Sequence, residues 1–355
     1  MTPTPGSRSE GARVVATDLH RDALVVDLHT HAPRFVPQPF RSVWRATNPR
    51  RPPDTEFAAL AGAGVNAIVA KAVGDPIVTR FYVRRSPWDA VEDQLRQIED
   101  QAASAGITIA TSIGEVTSRS RGQAPMVLLG VEGADALGGD IDRVDAWHAR
   151  GVRVVVLVHL SDNQLGTTCL PWQQYAGPVP VRRRVAPGLS PFGIEVVRRM
   201  NAVGITVDVA HADRPTLLDV VDAATAPVVS SHSGARAVDD FARYLSDDEI
   251  RAIASTGGVV GLWPYRAIRH GVRDLAALVA HARHVADLVG SSHLAIGTDM
   301  NGVPGLMRGY RGEEDLAIIT AGLLAGGFAP EETAGILGEN AARVLHAVEA
   351  AASPR

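Results

Sequence analysis

Short apolar runs rich in β-branched residues alternate with longer amphipathic segments along most of the chain. Such runs are typical of parallel strands that helices cover. We predict strands at Leu24–His29, Asn66–Val73, Met126–Glu132, Val152–His159, Thr206–His211, Pro227–His232, Gly258–Trp263 and Leu294–Asp299. Helices are predicted at Trp88–Ala105, Pro191–Ala202, Asp247–Ser255, Arg273–Leu288 and Glu331–Ala350. This alternation predicts an α/β protein with a (β/α)₈ TIM barrel.

Six of the eight predicted strands end in a residue suited to metal or proton chemistry. These residues are His29, Glu132, His159, His211, His232 and Asp299. In a closed barrel the C-terminal strand ends meet at one mouth, whereas in an open sheet most of them would lie too far apart to cooperate. The first strand also leads into His31, and residues two apart on a strand share a face. The pattern therefore favours a barrel with its active site at the C-terminal ends of the strands.

Composition indicates the domain organisation and the surroundings of the protein. Of 355 residues, 46% are hydrophobic, and residues 17–350 are predicted as a single domain. Residues 1–16 are polar, so we expect a disordered tail rather than a signal peptide, and no run is long enough to span a membrane. A net charge of −4 gives no reason to expect a nucleic-acid or membrane partner. We expect a cytoplasmic location.

The candidate chemistry is that of two divalent metal ions. The single cysteine, Cys169, excludes an internal disulfide and a cysteine-rich zinc site, so metal ligands would have to be His, Asp or Glu. Hydrolysis at an ion pair needs nitrogen ligands on each ion and a carboxylate between them. The predicted ligands are His29 and His31 on one ion, His211 and His232 on the other, and Glu132 as the bridge. Zinc suits such ligands, and manganese and cobalt remain open.

Asp299 is the candidate for proton transfer. It would take a proton from the water held between the ions and pass it to the leaving amine. The alternative is a capping role, because Gly297-Thr298-Asp299 also has the composition of a turn.

The chain resembles the renal-type (membrane) dipeptidases, zinc enzymes of the amidohydrolase-like barrel superfamily, from about residue 23 to residue 345. The resemblance is carried by residues 130–133, 189–193, 206–211, 230–233, 295–299 and 337–340. It implies hydrolysis of dipeptides that have a free C-terminal carboxylate. It also implies that His159 polarises the scissile carbonyl, that Arg243 binds the substrate carboxylate, and that Asp299 is the catalytic aspartate.

Three positions depart from the family pattern, and one of them is Met300-Asn301, which follows Asp299 where relatives usually carry another acidic residue. His31 stands where the family has a metal-binding aspartate, which removes one negative charge from the site but keeps a competent ligand. Lys71 ends the second predicted strand, where a neutral residue is usual. We expect Lys71 at the barrel rim with its ammonium in solvent, and contact with an anionic substrate group is the alternative. In the loop after the fourth strand, Arg182, Arg183 and Arg184 form a cluster that is typical of a solvated face or of an anion site.

Two other functions remain open at this point. The same ions could open a cyclic amide or a lactone, or the barrel could have become a metal-free binding protein. The expected partner is a small dipeptide, with a homodimer left open.

Overall fold

Parallel strands close into a barrel in the computed structural model of the chain, which describes residues 15–36, 40–47, 53–80, 86–119, 122–175, 181 and 186–353. The strands are β1 (Val26–Thr30), β2 (Ala67–Val73), β3 (Thr108–Ala110), β4 (Met126–Glu132), β5 (Val152–Val156), β6 (Thr206–Asp208), β7 (Val229–Ser233), β8 (Val259–Leu262) and β9 (Leu294–Ile296). Eight of them form the barrel in the order β2-β1-β9-β8-β7-β6-β5-β4, and the pairing of β2 with β4 closes it. The predicted (β/α)₈ barrel is confirmed.

Helices alternate with these strands. They are α1 (residues 15–22), α2 (Phe40–Thr47), α3 (Pro76–Thr79), α4 (Pro87–Ser104), α5 (Ile113–Thr117), α6 (Asp142–Ala149), α7 (Trp172–Tyr175), α8 (Pro191–Val203), α9 (Arg214–Ala223), α10 (Asp247–Ser255), α11 (Leu275–Val289), α12 (Leu316–Ala325), α13 (Pro330–Ala334) and α14 (Asn340–Ala351). Short 3₁₀ turns lie at Phe57–Ala59, Ala134–Leu137, Ser291–His293 and Glu313–Asp315. No helix among the described residues is long and apolar enough to cross a membrane.

The interior of the barrel is apolar at the bottom and polar at the mouth. Val69 and Lys71 share the inner face of β2, because Lys71 reaches across the barrel to Asp208 of β6. Below Lys71, strand residues such as Val69 and Leu128 belong to a buried cluster that also contains Val344 of α14. The apolar side chains at the bottom of the barrel thus support the polar groups at the C-terminal strand ends.

The structure differs from the sequence prediction at several elements. The three-residue strand β3 was not predicted, because it is too short to show a hydrophobic period; it pairs with the first half of β4. The last predicted helix is broken by a π-helical segment, Gly335–Glu339. At Gly338 a Cβ would lie 2.5 Å from the carbonyl oxygen of Leu24, so this turn passes against the start of β1.

Parts of the predicted organisation lie outside the described residues. These parts are residues 1–14 of the expected tail and the cluster of Arg182, Arg183 and Arg184. Residues 15 and 16, which we assigned to the tail, already belong to α1.

Candidate metal centre and active site

Glu132, the last residue of β4, lies at the centre of a histidine cluster in the barrel mouth. Its Oε1 lies 3.3 Å from Nε2 of His29 and 3.3 Å from Nε2 of His211. Its Oε2 lies 3.2 Å from Nε2 of His31 and 3.5 Å from Nε2 of His159. Imidazoles from three strand ends therefore direct the same ring atom at one buried carboxylate.

Two groups of side chains meet the geometric requirement of a metal site, and Glu132 belongs to both. The groups are His29, His31 and Glu132, and Glu132, His211 and His232. Within each group the ligand atoms lie within 4.8 Å of one another. The two Nε2 atoms are 3.4 Å apart in the first histidine pair and 3.0 Å apart in the second. The structure thus brings together the five residues that the sequence assigned to two ions, in the same grouping.

The donor set fits bound cations. Oε1 of Glu132 is buried and has no hydrogen-bond partner within the described part of the chain. Nε2 of His211 and Nε2 of His232 face each other, so the two ring nitrogens can bind one cation together. A divalent ion at each histidine pair would satisfy the carboxylate and the ring nitrogens together.

Hydrogen bonds at Nδ1 hold the rings with Nε2 free. Nδ1 of His29 lies 2.9 Å from Oγ of Ser231, and Nδ1 of His31 lies 3.0 Å from the carbonyl oxygen of Lys71. The carbonyl can only accept, so His31 carries its proton on Nδ1 when it is neutral. Hydrogen bonds of this kind fix the tautomer that presents Nε2 to a metal.

The pKa values of the ligands reflect burial and close charges. Burial and the nearby guanidinium of Arg243 hold the pKa of His211 well below its ordinary value, so this ring is neutral, as a metal ligand would have to be. His31 differs: burial lowers its pKa, but hydrogen bonds to Asp299 and Glu132 outweigh this and raise it to about 9. A metal ion that binds His31 must therefore displace a proton.

Two of the four non-glycine residues with positive φ in the described ranges are predicted site residues. His211 has a φ of 69° and Asp299 a φ of 53°, in the left-handed region that non-glycine residues rarely adopt. Backbone bonds hold both conformations: the carbonyl of His211 accepts from the Cys169 amide at 2.8 Å, and the Asp299 amide donates to the carbonyl of His29 at 2.8 Å. Strain that the fold maintains in this way is typical of functional sites.

Asp299 faces the first histidine pair. Its Oδ1 lies 3.3 Å from Nε2 of His31 and 3.9 Å from Nε2 of His29. Gly302 makes room for this contact, since a Cβ there would lie 2.1 Å from Oδ1 of Asp299 and 2.6 Å from Cδ2 of His31. The carboxylate is thus placed beside the predicted first ion rather than in a surface turn.

His159 is held by a carboxylate that the sequence did not identify. Its Nδ1 lies 2.5 Å from Oδ2 of Asp75, which is fully buried, and its Nε2 points to Glu132. Although burial lowers it, Glu132 and Asp75 raise the pKa of His159 above its ordinary value. The ring is therefore oriented as a hydrogen-bond donor at Nε2.

Arg243 lies behind the second histidine pair. One of its terminal nitrogens lies 3.0 Å from Nε2 of His232, and its guanidinium carbon lies 4.9 Å from the ring centre of Trp263. Its Nε has no hydrogen-bond partner among the residues described. A buried guanidinium with spare donors next to the candidate ligand nitrogens is suited to an anion.

A cavity of about 480 Å³ opens over the candidate ligands His31, Glu132 and His211. Glu132, His159, His211 and Asp299 lie at its floor, and most of the remaining lining is apolar or aromatic. The apolar and aromatic lining residues are Phe35, Val36, Val73, Ile77, Val78, Leu160, Trp172, Tyr175, Trp263, Tyr265, Val303 and Pro304. A small molecule in this cavity would meet polar groups on one side only.

Lys71 is not at the rim. Its side chain is fully buried, and Nζ lies 2.5 Å from Oδ2 of Asp208 and 3.2 Å from Oγ of Ser231. The expectation of a solvated ammonium is wrong, because a buried carboxylate neutralises the lysine inside the barrel.

Three supporting residues were missed: Asp75, Asp208 and Ser231. The sequence gives one indication of a role for Asp208, since this charged residue interrupts the apolar residues of the fifth predicted strand. No such pattern marks Asp75 or Ser231.

Comparisons with known proteins point to one family. A model of the family "Membrane dipeptidase (Peptidase family M19)" matches residues 13–355. Dipeptidase tcpJ of Claviceps purpurea is 30% identical over 231 residues, which cover 62% of this chain and 51% of that protein. Dipeptidase aclJ of Aspergillus oryzae is 30% identical over 229 residues, which cover 62% and 51%. The chain spans about half the length of the curated relatives it matches.

Solved structures share the fold. An amidohydrolase from Pseudomonas aeruginosa aligns with a TM-score of 0.75 and 22% identity, over 94% of this chain and 99% of that one. A metallopeptidase from Rhodobacter sphaeroides, liganded with a phosphinate mimic of the dipeptide L-Ala-D-Ala, aligns with a TM-score of 0.75 and 20% identity, over 92% and 100%.

Proposed function

Because the chain belongs to the membrane dipeptidase family, peptidase family M19, we propose that it is a metal-dependent dipeptidase. One observation carries the proposal: the buried Glu132 carboxylate lies between two histidine pairs, each placed to hold one ion. We further propose that two ions bind and that they are zinc, since imidazole and carboxylate ligands at this spacing suit it. When bound, the ions would supply Lewis acidity and a lowered pKa of water.

The protein's own residues would then divide the remaining work. Asp299, beside His31, is placed to hold the proton that the attacking water loses and to deliver it to the leaving amine. His159 is placed to donate from Nε2 to the carbonyl oxygen of the peptide bond, where negative charge develops. The apolar cavity walls would exclude water from the reacting atoms.

Arg243 would bind the C-terminal carboxylate of the dipeptide. Its guanidinium donates to the ring nitrogen of His232 that we assign to an ion. Metal binding would occupy that lone pair and free the donor, and the adjacent positive charge would favour an anion there. We therefore propose that the carboxylate site is completed only when the second ion is bound.

Two measurements test the function. Protein treated with a chelator should lose hydrolysis of L-Ala-D-Ala and L-Ala-L-Ala, and zinc should restore it with close to two ions per chain. Both configurations of the second residue are expected to be cleaved, because the carboxylate is recognised as a charge and not through the side chain. Hydrolysis that survives removal of all metal, or reconstituted protein that cleaves lactones or cyclic imides and no dipeptide, would refute the proposal.

Substitution of Arg243 tests the carboxylate site. Arg243→Ala should raise KM for a dipeptide far more than KM for the matching dipeptide amide, which lacks the carboxylate. The amide is the matched control, since any general damage from the substitution would raise KM for both substrates equally. Equal losses would remove Arg243 from this role.

A cytoplasmic location and a homodimer stay predictions that the sequence leaves open.

A further inference from the structure

The hydroxyl of Ser231 lies beneath the metal centre and touches a ligand from each histidine pair. Its Oγ lies 2.9 Å from Nδ1 of His29 and 3.1 Å from Nδ1 of His232. His29 belongs to the first pair and His232 to the second. One buried hydroxyl is therefore shared by the supports of both predicted ions.

A buried ion pair lies directly below this hydroxyl. Nζ of Lys71 lies 2.5 Å from Oδ2 of Asp208 and 3.2 Å from Oγ of Ser231, and all three residues are fully buried. The backbone amide of Ser231 donates to Oδ1 of Asp208 at 3.0 Å. The lysine, the carboxylate and the hydroxyl thus form one connected network.

The barrel makes specific room for Lys71. In the register of β2 and β4, Lys71 lies opposite Gly130. A Cβ at Gly130 would lie 2.8 Å from Cγ of Lys71 and 3.0 Å from the carbonyl oxygen of Val154. Only glycine at this position leaves the lysine side chain its path across the barrel.

Counting donors and acceptors shows what metal binding demands of the hydroxyl. A ring that binds metal through Nε2 must carry its proton on Nδ1. With both ions bound, the two Nδ1 protons of His29 and His232 would fill both lone pairs of Ser231 Oγ. The hydroxyl proton then needs an acceptor, and Asp208 is the carboxylate that contacts Ser231.

Lys71 keeps that acceptor charged. Burial raises the pKa of Asp208, but the ammonium of Lys71 outweighs this and lowers it. Nitrogen atoms of Lys71, His29 and His232 contact Oγ of Ser231, and the contact to Nζ of Lys71, at 3.2 Å, is the longest of the three. This contact would be released when both histidine rings donate to Oγ.

We propose that Ser231, supported by Asp208 and Lys71, is a positioning residue that fixes the ligand tautomers of His29 and His232 and so couples the two metal sites. The proposal concerns the metal centre of the proposed dipeptidase, but it is tested by metal retention rather than by hydrolysis. If the proposal about Ser231 fails, the protein would still be a dipeptidase, but its two metal sites would be independent. If the proposed function fails, the protein would still retain metal.

The test compares Ser231→Ala with Ser230→Ala. Ser230 is the neighbouring residue on β7, is equally buried, and its Oγ has no hydrogen-bond partner within the described ranges, so it is a matched control. Competition of zinc with a chelator measures the retention of each ion. Ser231→Ala should weaken both ions by about 10- to 100-fold, the usual loss when a ligand's supporting hydrogen bond is removed, and Ser230→Ala should weaken neither. Thermal unfolding of the metal-free proteins separates this effect from a loss of stability.

Each outcome decides the proposal. The proposal is overturned if Ser231→Ala weakens the binding of only one ion or of neither. It is also overturned if the Ser230→Ala control weakens the binding of both ions as much as Ser231→Ala does. Imidazole ¹⁵N NMR of the zinc-loaded wild-type protein gives a second test that needs no variant to fold. The Nδ1 protons of His29 and His232 should both exchange slowly with water, because both donate to the buried Oγ of Ser231, and fast exchange of either proton would overturn the proposal. A proton on Nε2 of either ring would instead remove that ring from the metal ligands and so count against the proposed function.

Discussion

Replacement of Asp75 by asparagine isolates the charge behind His159. Oδ2 of Asp75 accepts from Nδ1 of His159 at 2.5 Å, while Oδ1 accepts from the backbone amides of Ile77 and Val78 at the start of α3. Asparagine has one oxygen, which those two amides would retain, so its NH₂ group would face Nδ1. The ring would keep its Nε2 proton for the substrate but lose the negative partner that stabilises positive charge on it.

The size of the effect follows from this bond. A hydrogen bond to a charged group contributes about 1.5–3 kcal/mol and a neutral one about 0.5–1.5 kcal/mol, so the difference is about 1–1.5 kcal/mol. At 1.36 kcal/mol per tenfold change in rate, Asp75→Asn should lower kcat about tenfold. His159→Ala removes the donor itself and should lower kcat by about 10²–10³. Stability should change little, because asparagine is also a good N-cap residue.

Steady-state hydrolysis of L-Ala-D-Ala by both variants measures the two losses. Asp135→Asn is the matched control, since Asp135 is half-buried and its Oδ2 bonds to Asn163 and not to His159. It should leave kcat close to the wild-type value. An unchanged kcat in Asp75→Asn, or a loss as large as that in His159→Ala, would refute the reasoning.

Substitutions at three further residues give distinct outcomes. Asp299→Asn should lower kcat by about 10²–10⁴ with unchanged metal content, and full turnover would reduce Asp299 to a turn residue. His31→Ala should lose one ion by elemental analysis, whereas His31→Asp, which restores the family ligand, should retain it; equal metal content would exclude His31 as a ligand. Burial lowers the pKa of His281 from 6.5 to about 4, so stability present above pH 6.5 should be lost toward pH 4, by about 3 kcal/mol. Urea unfolding of His281→Gln, which cannot titrate, should lack this loss.

The barrel could be predicted because its strands are buried on both faces. β4 was predicted at its observed bounds, since it is apolar up to Glu132 and stays paired to its last residue. β5, by contrast, ends at Val156 and not at His159, because the last residues of that apolar run leave the sheet before the site. Apolar composition marks burial, and it does not show where strand pairing stops.

The gathering of the candidate ligands at one end of the barrel was predicted better than their local geometry. His211 and Asp299 were expected on strands, but each follows a strand end, with positive φ. No sequence pattern predicts a left-handed backbone conformation at His211 or Asp299, because that conformation depends on backbone partners from distant segments. For His211 that partner is Cys169, 42 residues earlier, and for Asp299 it is His29, 270 residues earlier.

Two aspartates explain how separate strands are held in one ligand geometry. Asp27 accepts from the amide of His29, two residues on, and from the amide of Thr298 near the end of the neighbouring strand, both at 3.0 Å. Asp208 does the same with the amides of Ala210 and Ser231, both at 3.0 Å. Each carboxylate therefore joins two adjacent strand ends, and one predicted ligand follows within three residues of each, His29 after Asp27 and His211 after Asp208.

The two carboxylates differ in the partner of their second oxygen, and this difference has an electrostatic consequence. Oδ2 of Asp27 receives the hydroxyl of Thr298 at 2.5 Å, and burial raises the pKa of Asp27 to about 6. Oδ2 of Asp208 receives the ammonium of Lys71, and its pKa lies below the ordinary value. The second site thus rests on a carboxylate whose charge is favoured by a buried lysine. Removal of Lys71 alone would leave that charge unpaired inside the barrel, so the lysine must be changed together with Asp208.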